Sequence, residues 1–145
     1  MNLTKALKAK KKLIKQIDTI YNRFQKFNSY EAGTTPTYPA EEAYDEWLLL
    51  TSELVELKAK IQRANAPIID KIFRLGELKS IISRLRGVNT TAGIHRERSY
   101  GLTESVVEHI AFMDLKKRDA DIEVFENEIE KLQEEIEAFN TITKI

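Results

Sequence analysis

The chain has 145 residues, 42% of them apolar, with 23 Lys/Arg balancing 23 Asp/Glu, values that fit one domain, 1–145, and exclude disorder outside the loops. It has no cysteine, which excludes disulfides and thiolate zinc sites. No apolar run approaches the roughly 18 to 20 residues that cross a bilayer, and the early lysines Lys5, Lys8, Lys10, Lys11 and Lys12 precede alternating apolar and polar residues rather than a leader, so a cytoplasmic protein is expected.

The zero net charge hides a sorted distribution: residues 1–26 and 61–100 are basic, while 27–60 and 101–145 are acidic. A chain folded back on itself can set basic segments beside acidic ones, which discourages wrong registers.

In the first segment Leu3, Leu7, Leu13, Ile14, Ile17, Ile20, Tyr21, Phe24 and Phe27 recur at steps of three and four, which predicts a helix over 3–27 that buries one stripe. Its lysines fall mostly on the opposite face, with Lys10 inside the stripe. Asn28 to Pro39 holds Gly33, Pro36 and Pro39 and reads as a surface connection between antiparallel helices.

A second helix over 40–64 starts where proline is tolerated and where Glu41, Glu42, Asp45 and Glu46 complement the positive end of the helix dipole. Trp47, Leu50, Leu54, Leu57, Ile61 and Ala64 then repeat with the spacing of a helix seam. Pro67 lacks an N–H and should interrupt or redirect the helix near Asn65. A shorter helix over 69–86 follows, with Ile72, Leu75, Leu78, Ile81, Ile82 and Leu85 inward, Gly76 as a weak point and Gly87 as the stop.

Residues 87–103 have no apolar period and read as a long polar loop, the kind that often carries function. Glu104 to Met113 alternates in a way that suits a short strand. Asp114 then caps the last helix, 114–140, whose Leu115, Ile122, Phe125, Ile129, Leu132, Ile136 and Phe139 form a narrow seam broken only by Arg118. That seam suits packing along the basic first helix or a coiled coil between subunits. The tail, Thr141 to Ile145, has two isoleucines and should dock. The fold class is therefore all-α, an antiparallel bundle of long helices with coiled-coil character and one short strand before the last helix.

No catalytic constellation is present. His95 and His109 fall in different segments, no His, Asp or Glu spacing matches a metal site, and there is no phosphate-binding glycine loop or nucleophile elbow, so neither an enzyme nor a cofactor is expected. His95 reads as a solvated loop residue, and the acids Glu126, Glu130 and Glu134 as a solvated helix face. Cations cluster twice: on the lysine face of the first helix, and as Arg84, Arg86, Arg96 and Arg98 with Tyr100 around the glycine loop, where Arg63 and Asn65 could join. Arginine forks suit phosphates and carboxylates, and tyrosine can stack on a base. Salt bridges to the acidic helices or across a subunit contact are the expected use.

Ile61, Gln62, Arg63, Ala64 and Asn65, then Leu78 to Arg86, then Arg98, Ser99 and Tyr100, and finally Ala138 to Thr143 resemble, in order and over nearly the whole chain, the septicolysin-like family of small bacterial proteins. The resemblance implies a helical fold and, from the family's common name, a cytolysin; it brings no catalytic or ligand residues with it. The chain departs from the family pattern at Pro67 and in a shorter polar stretch after Asn65.

The expected function is that of a non-enzymatic structural or protein-interaction protein that forms homo-oligomers. One alternative is anion or nucleic-acid binding through the arginine loop and the lysine helix; the other is a membrane-active cytolysin, on the resemblance alone.

Overall fold

The computed structural model describes residues 1–98 and 104–145 and is mostly helical. In chain order the elements are α1 (Leu3–Phe27), α2 (Ala40–Asn65), a 3-10 turn (Ala66–Ile68), α3 (Ile69–Arg86), strands β1 (Gly93–Arg98) and β2 (Glu104–His109), and α4 (Leu115–Ile142). Two compact units emerge, one of Met1–Ile69 with Glu137–Ile145, the other of Asp70–Ile136.

The first unit is built on the pairing of α1 with α2. Leu3 and Ala6 at the start of α1 pack with Ile61 near the end of α2, and Leu7, Leu57, Ala64 and Phe139 close around them. Phe24 at the other end of α1 meets Tyr44 at the start of α2, with ring centroids 5.5 Å apart, so the helices run antiparallel. Trp47 joins Tyr21 and Phe24 at 5.1 and 5.9 Å, and Tyr38 packs on Phe27 at 5.6 Å. The Arg23 guanidinium lies 4.2 Å over the Tyr38 ring. These contacts fasten the connection between the helices to their shared end, and each aromatic pair adds about 0.5–1.5 kcal/mol beyond area burial.

The chain ends meet in the same unit. Asn2 caps α1 by accepting from Lys5 N–H at 2.9 Å, while its amide donates to the Thr141 carbonyl at 3.2 Å. Leu3 N–H donates to Thr143 O at 2.7 Å and Ile145 N–H to Met1 O at 3.1 Å. The tail docks against the N-terminus because these backbone groups, left over at two helix ends, satisfy one another. That docking also carries α4 two residues beyond the expected end at Asn140.

Pro67 acts more gently than a helix breaker. The Arg63 carbonyl would accept from residue 67, which has no N–H; it accepts instead from the N–H of Ala66, tightening one turn into 3-10 geometry. Asn65, Ala66 and Ile69 all keep right-handed helical backbone angles, so no loop opens at this point.

In the second unit Leu78, Ile82 and Ile122 are buried. Helix α3 runs through Gly76 without a break. Long side chains connect it to α4: Lys71 to Glu135 at 2.9 Å, Arg74 to Glu128 at 3.1 Å and Arg86 to Glu126 at 2.9 Å. Acidic side chains of α4 thus pair with the basic third segment. Asp114 caps α4 by accepting from Lys117 N–H at 2.8 Å. Arg118, the one break in the α4 seam, sends Nη1 to the Arg86 carbonyl at 3.5 Å, a cation at the C-terminal end of α3.

The reading of 87–103 as a loop needs correction. Gly93–Arg98 forms strand β1, antiparallel to β2, in a register that sets Gly93 opposite His109 and Arg98 opposite Glu104. The hairpin buries neither face fully: on one face Ile94 is 72% and Val106 66% exposed, and on the other Val107 is half-buried. A strand without a buried face leaves no alternation in its sequence, so periodicity had nothing to report. Strand β2 is also shorter than expected, ending at His109; Ile110 and Phe112 beyond it are 92% and 90% exposed.

Candidate functional site

The residues singled out in the sequence divide between the two units. Arg63 and Asn65, at the end of α2, belong to the first; Arg84, Arg86, His95, Arg96 and Arg98 belong to the second. Tyr100 lies outside the described residues.

In the first unit the exposed Arg63 shares an open hollow with Lys60, Lys144, Ala64 and Ile145, so three cations gather where the tail docks beside α2. Asn65 is directed inward. Its Oδ1, with Thr4 Oγ1 and Asn140 Oδ1, is buried and has no hydrogen-bond partner among the described residues. Buried oxygens of this kind are normally satisfied by an internal water, and all three belong to this unit.

In the second unit Arg86 is bound to Glu126, while Arg84 is exposed on the last turn of α3. Gly93, at φ +92, turns the chain into β1 through left-handed backbone that a Cβ would strain. Position 96 stands opposite Val106 and position 98 opposite Glu104. His95 Nε2 lies 2.9 Å from the Ala92 carbonyl, and its ring meets that of His109 with centroids 5.6 Å apart. Sequence reading left these histidines in separate segments. Only the register, with His95 opposite Val107 and His109 two positions further, brings them to one face of the hairpin. No group of three or more metal-ligating side chains occurs among the described residues.

Two further features escaped sequence reading. Lys12, Lys15, Gln16 and Thr19 of α1 with Glu46 and Leu50 of α2 line an open hollow floored by Ile20. Beside its seam α2 exposes further apolar side chains, Leu48 at 46% and Val55 at 62%, with Tyr44, whose ring also meets Phe24, at 43%. The spacing of Tyr44, Leu48 and Val55 held the signal for that second stripe, which the stronger seam beside it overshadowed. No helix among the described residues is long and apolar enough to cross a membrane.

No protein-family model, no curated protein and no solved structure matches the chain.

Proposed function

We propose that this chain is a non-enzymatic helical interaction protein that works as a homo-oligomer. The observation that carries the reading is the amount of surface left uncovered. A globular monomer of 16.8 kDa exposes about 7,700 Å² by the usual mass scaling, and two separate globules of half that mass about 9,200 Å². This chain exposes 11,211 Å², more than either figure. Part of the excess is apolar: Leu48, Leu49, Val55, Phe73, Ile110, Phe112 and Val124 are each more than 40% exposed. A cytoplasmic setting goes with this reading as an expectation. Light scattering coupled to gel filtration tests it: the expected mass is a multiple of 16.8 kDa, and a mass of 16.8 kDa at every concentration would overturn it.

Anion or nucleic-acid binding is the second reading, supported by Arg84 and Arg96, which are exposed and have no ion pair among the described residues. Fluorescence anisotropy with labelled RNA and DNA tests it. Affinity that falls steeply with salt supports it, and no binding at low salt rejects it.

A further inference from the structure

We infer that two copies of this chain pair through α2 in antiparallel, two-fold fashion, with Leu48 of one copy against Val55 of the other. The inference rests on the self-association reading above and assigns it a surface. At about 100° per residue, Leu48 and Val55 fall within about 20° of one another on the helix, well away from the seam that packs on α1; Tyr44 lies at the edge of this stripe, with its ring against Phe24 of α1. Each is between 43% and 62% exposed.

The stripe is complementary to itself when reversed. Leu48 and Val55 are equally distant from the midpoint between Thr51 and Ser52, and so are Tyr44 and Ala59. A two-fold axis at that point sets Leu48 against Val55 twice, and a large Tyr44 against a small Ala59 at each end. The centre is also ready to be covered. Thr51 Oγ donates to the Trp47 carbonyl at 2.8 Å and Ser52 Oγ to the Leu48 carbonyl at 3.2 Å, so burial leaves neither hydroxyl donor unpaired.

Charge selects the direction. The first two turns of α2 hold Glu41, Glu42, Asp45 and Glu46, whereas Lys58, Lys60 and Arg63 follow its last acid, Glu56. Antiparallel pairing lays the acidic end of each helix beside the basic end of the other; parallel pairing would stack like charges.

Because the chain has no cysteine, single introduced thiols report the geometry in the 145-residue chain. With a short bis-maleimide, Ser52→Cys should yield a covalent dimer. Glu41→Cys should not, since its two copies would stand about 30 Å apart along the paired helices. Cross-linking of Glu41→Cys, with or without that of Ser52→Cys, would indicate parallel pairing and overturn the inference. The double variant Leu48→Glu, Val55→Glu should keep its helical circular dichroism and raise the concentration at which the oligomer dissociates by at least about tenfold. An oligomeric wild type that neither cross-links at Ser52→Cys nor weakens in the double variant overturns the α2 surface alone. A monomeric wild type overturns the self-association reading as well.

Discussion

Arg74 holds Glu128 with two roughly parallel hydrogen bonds, Nε to Oε1 at 3.2 Å and Nη2 to Oε2 at 3.1 Å, joining the middle of α3 to α4. The pairing raises the Arg74 pKa, first through the hydrogen bond and then through the carboxylate's charge. Both side chains remain half-exposed, so the pair orients the helices more than it stabilises them. Arg74→Lys, which cannot make the fork, should lower the thermal midpoint slightly at low ionic strength. The difference from wild type should shrink in about 1 M salt, and a difference that salt leaves unchanged would count against this account.

Acid should loosen the same helix pair. A hydrogen bond from Lys71 holds the Glu135 carboxyl below the ordinary carboxylate range; partial desolvation opposes the shift, and the charges of Lys71 and Lys131 assist it. A carboxyl whose folded pKa lies below its unfolded one contributes stability above the unfolded value and loses it as pH falls through the folded value. Glu135→Gln should therefore be less stable than wild type at neutral pH and equal to it in acid below both values. Thermal melts across the acid range provide the check.

Gly76 lies inside α3 with nothing within 4 Å of where a Cβ would stand. Gly76→Ala removes backbone freedom from the unfolded chain without a clash, so stability should rise by about 1 kcal/mol in urea titrations. A loss of stability would show that the position is more crowded than this.

Leu78 has no solvent exposure and, with Ile82 and Ile122, is one of the buried side chains of the second unit. Leu78→Ala should cost about 2–5 kcal/mol, the range for a buried leucine whose cavity only partly collapses. A loss well under 1 kcal/mol, measured by chemical denaturation, would mean that the unit tolerates a void there.

The helices were legible because each buries at least one stripe, and burial leaves a period of three and four. Leu3, Ile20 and Ile61 mark α1 and α2 in this way, and the bounds of α1 and α3 match the expectation. Strand β1 was illegible for the opposite reason: Ile94 is its only apolar side chain and faces solvent, so no selection for an inside wrote a pattern. The candidate site was legible as a list of cations and not as a place. Arg63 and Arg86 are similar in sequence context, yet one shares a hollow with Lys60 and Lys144 while the other is tied to Glu126.

By itself the amino-acid order determined which segments become helices, where they are capped and which charges are available for pairing. These are local matters of side-chain periodicity and backbone hydrogen bonding within a few residues. Tertiary structure alone decided that α4 pairs with α3, that the tail closes onto Met1 and that His95 meets His109. Each of those depends on groups far apart in sequence, and no local pattern encodes which distant partner will be there.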